Sequence, residues 1–443
     1  MNLKERLKSL PRYKVYGKVI GVKGPVVEAK LPHVHIGDFC TVNGDIEAEV
    51  VGFKDGKVLL MAYSDTTGIS LGTSIEAKIS GLKVGVSEDL LGLVLDPFGN
   101  PMNKESFFPT EFVPLKAEPI NPMKRERIKE PLDLGIRAIN ALLTVGKGQK
   151  IGIFAGAGVG KSTLMGMVSR YTTADVNVVA LIGERGREVR EFIEDNLGED
   201  GLRKSVVVVA TSDHPPLAKI RAAFTACAIA EYFAWKGKDV LLLIDSLTRL
   251  AMAQREIGLA VGEPPTSKGY TPSVFSTMAK LIERAGNFVG AGSITGIYTV
   301  LVEGDDISLD PVADAAVGFL DGHIVLSREL ANRRLFPAID IVKSISRLVP
   351  QLVSEEVIKE QSIVFEIEST YRENSDVINL GLYKKGTSPK IDLAISVHSK
   401  IEEFIKQEVE KRVTFQESLL QLSDLVEYIR KEGDRYGYRW DNN

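Results

Sequence analysis

The spacing of apolar and polar positions changes along the chain, and the pattern over residues 13–81 predicts a separate N-terminal domain. Between residues 13 and 81, short strand-like runs alternate with turn pairs such as Gly24-Pro25 and Asp55-Gly56. An Asp-Gly pair between two such runs is typical of a two-residue β-hairpin. Many short strands at regular spacing predict a small β-barrel over residues 13–81.

Between residues 82 and 354, strand-like runs alternate with helical stretches. The strand-like runs are short and aliphatic and occur at residues 151–155, 178–182, 206–210, 240–244, 297–302 and 323–327. This alternation predicts βαβ units on a parallel sheet, and therefore a central α/β domain. The prolines between residues 108 and 131 favour an extended crossover there rather than a core element.

Both ends of the chain are predicted to be helical. Amphipathic stripes between residues 401 and 429 indicate a small C-terminal helical domain over residues 355–443. A short helix is predicted over residues 1–12, with its apolar face at Leu3, Leu7 and Leu10. This helix is either a frayed tail or a docking element that folds on a partner.

Composition restricts the location of the protein. The 443 residues suffice for two or three domains. The first residues are charged and no apolar window reaches the ~18–20 residues that cross a bilayer, so we expect a cytoplasmic protein with peripheral membrane association only. A net charge of −4 does not favour a protein that coats nucleic acid. Cys40 and Cys227 stand far apart and form no metal or disulfide motif.

A glycine-rich loop joins a predicted strand to a predicted helix at residues 155–163 (AGAGVGKST). Small residues let the backbone N–H groups close around phosphates, and the N-terminus of the helix adds partial positive charge. The predicted nucleotide-binding residues are Gly156, Ala157, Gly158, Val159, Gly160, Lys161, Ser162 and Thr163. Lys161 is expected to reach the β- and γ-phosphates and Ser162 to ligate Mg²⁺. Ala155 departs from the P-loop pattern, which has glycine at that position.

Two carboxylates follow predicted strands and complete the expected site for ATP and Mg²⁺. Asp245 ends the run 240–244, and ligands of open α/β sheets gather at such carboxyl ends. We therefore expect Asp245 to help hold the metal. Glu184 follows the run 178–182 and is the candidate base that accepts a proton from water, with Arg185 beside it as a candidate phosphate contact.

Together these residues resemble the catalytic subunits of the hexameric rotary ATPases, over nearly the whole chain. The resemblance is carried by residues 130–139 (EPLDLGIRAI), 245–249 (DSLTR) and 337–347 (PAIDIVKSISR). Within that superfamily the chain is most similar to the type III export ATPases of flagellar assembly and needle-type secretion. The matching segments are residues 183–189 (GERGREV), 262–265 (GEPP), 302–306 (VEGDD) and 321–328 (DGHIVLSR). Ala155 and Ala279 are departures from the family pattern.

The resemblance implies the same roles for Lys161, Ser162, Glu184 and Asp245 and adds three residues. Arg347 matches the arginine finger that reaches the γ-phosphate of the neighbouring subunit in a ring of six. Phe336 stands where the family places an aromatic ring against adenine. Tyr383 is a further candidate for the same pocket.

The resemblance also implies a function and partners. A homo-hexamer at the cytoplasmic face of the inner membrane would energise protein export. Its partners would be a peripheral stalk regulator, which would bind the helix at 1–12, a central stalk protein, export chaperone–substrate complexes and the membrane export gate.

Four alternatives stay open. One is a structural subunit that does not hydrolyse ATP, which the presence of Glu184 disfavours. A catalytic subunit of ATP synthase would use the same site but require a catalytically silent partner subunit. A virulence needle-type ATPase differs from a flagellar one only in the system it serves. A helicase of the Rho type needs a basic and aromatic RNA-binding surface, and residues 13–81 show no such cluster.

Overall fold

The structure is a computed structural model that describes residues 14–78, 82–117, 120–302 and 307–440. The helix predicted over residues 1–12 lies outside the described residues, as does most of the segment 302–306.

The first described domain is a barrel. Its strands are β1 (Val15–Lys23), β2 (Val26–Lys30), β3 (Phe39–Val42), β4 (Ile46–Lys54), β5 (Lys57–Ala62) and β6 (Ser74–Lys78). In this part of the chain they close in the order β1-β2-β5-β4-β3-β6. Asp55 and Gly56 form the predicted hairpin turn between β4 and β5, and both have positive φ, as a type I′ turn requires.

A largely parallel sheet forms the centre of the molecule. The remaining strands are β7 (Lys83–Val86), β8 (Val94–Leu95), β9 (Glu111–Pro114), β10 (Lys150–Ala155), β11 (Val176–Ile182), β12 (Ser205–Ala210), β13 (Val240–Asp245), β14 (Gly286–Asn287), β15 (Ser293–Leu301), β16 (Gly322–Leu326) and β17 (Ile339–Ser346). Their order along the described sheet is β17-β16-β10-β15-β13-β11-β12-β8, with β17 antiparallel to β16 and β14 antiparallel to β15. Every residue of β11, β12 and β13 is buried, since helices cover both faces of the sheet.

The helices lie on both faces and at one end of this sheet. They are α1 (Arg137–Leu142), α2 (Lys161–Tyr171), α3 (Gly186–Glu191), α4 (Gly198–Arg203), α5 (Pro216–Trp235), α6 (Leu247–Ala260), α7 (Pro272–Ile282), α8 (Pro311–Phe319), α9 (Arg328–Asn332), α10 (Val349–Leu352), α11 (Glu355–Glu373), α12 (Ser375–Asn379), α13 (Pro389–Ile405) and α14 (Phe415–Tyr436). A π-helical turn, Phe192–Leu197, joins α3 to α4. The predicted crossover over residues 108–131 is mainly extended, but it contains β9, which pairs with β7.

One hydrophobic core joins the sheet to the C-terminal helices. It includes Ile151 of β10, Leu393 of α13 and Leu422 of α14, all fully buried. The predicted fold class is therefore confirmed: an N-terminal β-barrel, a central parallel-sheet domain and a C-terminal helical region.

A polar contact fixes the C-terminal helices beside the P-loop domain. The guanidinium of Arg137, at the start of α1, donates to the carbonyls of Glu403, Phe404 and Lys406 at the end of α13, at 2.5 to 3.0 Å. A cation suits this position because the last carbonyls of a helix carry partial negative charge. The side-chain oxygen of Gln407 accepts from the backbone N–H of Arg137, and the backbone N–H of Gln407 donates to the carbonyl of Phe336.

Candidate active site

The P-loop crosses from the carboxyl end of a central strand into a helix. β10 lies between β15 and β16 and ends at Ala155, and α2 begins at Lys161. Gly158 and Gly160 have φ of 77° and 89°, a left-handed conformation that glycine adopts without strain. Ala155 is a buried strand residue with no positive φ, so its methyl group is accommodated and the departure from the P-loop pattern leaves the loop intact.

Three predicted residues from different strands meet at this loop. The ammonium of Lys161 contacts the carboxylate of Asp245 and lies 3.5 Å from Oε1 of Glu184. The three side chains are 12%, 4% and 16% exposed, respectively. They come together because β10, β11 and β13 all end at the same edge of the sheet. Ser162 is exposed in the first turn of α2, beside Lys161.

The environment of Glu184 favours its protonated form. Burial, together with the charges of Asp245 and Glu188, raises the pKa of this carboxyl group, and Lys161 only partly opposes them. The pKa of Glu188, by contrast, is lowered, first by its hydrogen bond with Glu184. A glutamate with a raised pKa is a stronger base than an ordinary carboxylate once it is ionised.

Arg185 is largely exposed to solvent. Its side chain is 78% exposed and pairs with Glu188 at 3.1 Å. The phosphate contact expected for Arg185 remains a prediction.

The candidate adenine residues lie in different surroundings. Phe336 is 39% exposed, and its ring rests on the P-loop, 3.3 Å from the point where a Cβ on Gly160 would lie. An aromatic face in this position offers a stacking surface for a base. Tyr383 instead hydrogen-bonds through its hydroxyl to the Ser388 carbonyl and to Asp392, at the start of α13. Its contacts thus lie within the C-terminal helices.

Arg347 lies at the amino ends of the parallel strands, whereas the P-loop of its own chain lies at their carboxyl ends. It follows β17, is exposed, and its guanidinium lies 3.3 Å from the carbonyls of Val317 and Leu320. Its N–H donates to Asp321, whose own N–H donates to Lys150 at the start of β10. The P-loop follows the other end of β10, roughly 17 Å away at ~3.3 Å per residue. An arginine side chain does not span that distance, so Arg347 does not reach the P-loop of its own chain, and the role expected for it in a neighbouring subunit remains a prediction.

Two arginines that were given no role in the sequence analysis also border the site. Arg249, in the first turn of α6, packs against Gly183, and its Nε is buried without a hydrogen-bond partner among the described residues. Arg328, at the start of α9, is exposed and lies 3.3 Å from the point where a Cβ on Gly156 would lie. The sequence signal for Arg249 was its position four residues after Asp245, on the helix that this carboxylate precedes.

A fourth strand contacts the predicted metal ligand Asp245. The hydroxyl of Thr299, on β15, donates to Oδ1 of Asp245 at 2.6 Å. Motif spacing does not reveal this contact, because the two residues are 54 positions apart and no pattern links them.

A P-loop after a central parallel strand, with a lysine bridging two strand-end carboxylates, defines a nucleotide-hydrolysing enzyme of the P-loop class. Residues 135–346 match the nucleotide-binding domain of the ATP synthase alpha/beta family, and residues 19–78 match its beta-barrel domain. Residues 353–424 match the T3SS EscN ATPase C-terminal domain.

Relatives with the same architecture are found among curated proteins and solved structures. The flagellum-specific ATP synthase of Aquifex aeolicus is 51% identical over 94% of this chain and 95% of its own length. That of Bacillus subtilis is 50% identical over 94% and 96%. The assembled ATPase EscN of the enteropathogenic E. coli type III secretion system superposes with a TM-score of 0.88 at 43% identity, covering 93% of this chain and all of that chain. EscN in complex with its central stalk EscO gives 0.85, at the same identity and coverage.

The chain belongs to the type III export ATPases, the branch of the ATP synthase alpha/beta family that includes the flagellum-specific ATP synthases. No helix of the described residues is long and apolar enough to span a membrane.

Proposed function

We propose that this chain hydrolyses MgATP in a homo-hexameric ring and thereby energises protein export through a flagellar type III apparatus. The observation that carries the proposal is that Lys161, Glu184 and Asp245 meet at the P-loop. Arg347 lies exposed at the opposite, amino ends of the parallel strands.

The donors at the P-loop fit a magnesium ion. The hydroxyl of Ser162 and the carboxylate of Asp245 are hard oxygen ligands, which Mg²⁺ prefers. Oδ1 of Asp245 accepts from Lys161 and Thr299, so its second oxygen is the one available toward the metal. When bound, the ion would neutralise charge on the β- and γ-phosphate oxygens.

In the proposed reaction, Glu184 accepts a proton from the attacking water. The water oxygen bonds to the γ-phosphorus, the bond from this phosphorus to the β–γ bridging oxygen breaks, and ADP and inorganic phosphate leave. Lys161 donates to the phosphate oxygens through its ammonium. The buried Nε of Arg249 is a candidate donor to the departing phosphate, because it has no other partner among the described residues.

Arg347 of an adjacent subunit would complete the site. A ring in which each chain offers its P-loop at one face and Arg347 at the other is a head-to-tail assembly that closes on itself. EscN, the relative described as assembled, has the same fold at 43% identity. Phe336, with Tyr383 as a weaker candidate, would hold the adenine.

The proposed partners follow the family. EscN has been solved with its central stalk EscO, and we expect this chain to bind a central stalk as well. A peripheral stalk regulator, export chaperone–substrate complexes and the membrane gate complete the set, at the cytoplasmic face of the inner membrane. The curated relatives at 51% and 50% identity are flagellar, which favours the flagellar system over a virulence needle.

Phosphate release from MgATP tests the enzyme and the ring together. The wild type should hydrolyse ATP with a rate per chain that rises with protein concentration. Glu184→Gln should bind ATP and release no phosphate. Glu191→Gln is the matched control, because Glu191 is the last residue of α3, is half exposed and pairs with Arg187. A wild-type chain that binds ATP but never turns over alone would instead favour a subunit that needs a different partner, as in ATP synthase.

A further inference from the structure

β15 separates the two strands that carry the nucleotide machinery. It pairs with β10, which leads into the P-loop, and with β13, which ends in Asp245. In this register Thr299 lies beside Ile153 of β10, and its neighbour Tyr298 lies beside Ile244 of β13. The next position on each strand therefore brings Thr299 level with Asp245.

Thr299 is completely buried, and its hydroxyl hydrogen bond to Oδ1 of Asp245 is short, at 2.6 Å. A buried carboxylate is stable only where donors replace the water that it has lost. A β-branched residue has few χ1 rotamers, so the direction of this hydroxyl is restricted by the side chain itself.

The same carboxylate oxygen also contacts the ammonium of Lys161. In the proposed function, on which this inference rests, Lys161 turns its ammonium to the phosphates. The hydroxyl of Thr299 is then the donor that remains on Oδ1.

The end of β15 is held on both sides. The N–H of Leu301 donates to the hydroxyl of Thr248 on α6 at 2.9 Å, and the N–H of Val302 donates to the carbonyl of Ala155 at 3.1 Å. These contacts join β15 to the helix after Asp245 and to the strand before the P-loop. The donor at Thr299 therefore stands on backbone that is fixed relative to both parts of the site.

We propose that Thr299 is a positioning residue for metal binding: it holds the Asp245 carboxylate in one rotation, with Oδ1 on the hydroxyl and the other oxygen directed to the magnesium ion. The metal site would then depend on three parts of the chain, the P-loop, Asp245 and β15, rather than on the P-loop and Asp245 alone. Groups that orient a metal ligand from behind typically change metal affinity by about 10–100-fold when removed.

Thr299→Val tests the proposal because it removes the hydroxyl and keeps the shape. We expect the Mg²⁺ concentration that half-saturates nucleotide binding to rise at least about tenfold, measured with a fluorescent ATP analogue at equilibrium. Nucleotide affinity without Mg²⁺ should stay within about twofold of the wild type, because Thr299 touches no nucleotide-binding group directly. Thr299→Ser keeps the hydroxyl and should restore the wild-type Mg²⁺ dependence.

Thr295→Val is the matched control. Thr295 is a buried threonine on the same strand, and its hydroxyl accepts from the Gly148 N–H, at the end away from Asp245. This variant should lose stability without any shift in Mg²⁺ dependence. The proposal is overturned if Thr299→Val keeps the wild-type Mg²⁺ dependence, if Thr299→Ser is as impaired as Thr299→Val, or if Thr295→Val shows the same shift.

The equilibrium measurement separates this proposal from the proposed function. A chain that failed to hydrolyse ATP at all would contradict the enzyme assignment. The Mg²⁺ dependence of nucleotide binding could still be measured on that chain, and it would show whether Thr299 orients Asp245.

Discussion

A chain that lacks Arg347 and a chain that lacks Lys161 should restore each other's hydrolysis when they are mixed, although each is inactive alone. Lys161→Ala removes the ammonium at the phosphate site and leaves the face with Arg347 intact. Arg347→Ala leaves the P-loop intact and removes the group that is expected to enter the neighbouring site. An arginine finger contributes about 10³–10⁵ to the rate, so Arg347→Ala alone should be nearly silent.

The hydrolysis rate that mixing restores depends on how many interfaces are intact, because Lys161 and Arg347 of one chain serve different interfaces. Arg347 is anchored beside the start of β10, and the P-loop follows its end. In a mixed ring an active interface requires an intact P-loop on one chain and an intact arginine on the next. With equal amounts and random placement, about a quarter of the head-to-tail interfaces meet that condition. Hydrolysis should therefore return to at most about a quarter of the wild-type rate if interfaces act independently.

The assay is phosphate release across mixing ratios at a fixed total concentration, with subunits mixed before the ring forms. The rescued rate should peak at equal amounts and vanish at either extreme. The double variant Lys161→Ala/Arg347→Ala is the control. Mixed with Arg347→Ala it supplies no arginine, and mixed with Lys161→Ala it supplies no P-loop, so neither mixture should recover. Absence of rescue at every ratio, or wild-type activity of Arg347→Ala alone, would refute the assignment to the neighbouring site.

Three further predictions concern single groups. Because burial raises the pKa of Glu184 and the group must be ionised to accept a proton, kcat should fall on acidification at a higher pH than the ~4.3 of an ordinary glutamate; a flat profile down to that range would contradict this role. Burial raises the pKa of the Cys40 and Cys227 thiols to about 12, so a thiol reagent at pH 8 should label neither cysteine in the native protein and both in denaturant. Labelling of either cysteine in the native protein would contradict this burial. Arg137→Met removes the donors to three carbonyls of α13 and should destabilise the C-terminal helices by on the order of 2–3 kcal/mol, seen as a lower melting temperature; an unchanged midpoint would show that these bonds are replaced by water.

Much of the fold was encoded in local patterns. The hairpin at Asp55-Gly56 was predicted correctly because positive φ at two adjacent positions is a local demand that few residue pairs meet. The strands β11, β12 and β13 were predicted from continuous aliphatic runs, since strands buried on both faces need apolar side chains on both. The place of β9 within the proline-rich crossover was missed, because its four residues pair with β7 through a distant contact and carry little apolar signal.

The candidate site also combines residues that the sequence predicts with an arrangement that only the tertiary structure decides. Lys161, Glu184 and Asp245 were predicted from the sequence alone, because each stands at a strand end beside or after the P-loop and the chemistry of phosphate and metal restricts which residue types serve there. The structure brings their side chains together, and their roles remain predictions. Tertiary structure decided how they are arranged. The chain order of the strands is β10, β11, β13, β15, but in space β15 lies between β10 and β13.

That insertion brings Thr299 against Asp245, while the antiparallel return of β17 carries Arg347 to the amino ends of the parallel strands, opposite the carboxyl ends where the P-loop lies. Neither arrangement follows from the spacing of residues along the chain, because each depends on which strands become neighbours. That choice is made by the packing of whole buried faces rather than by any residue near the site.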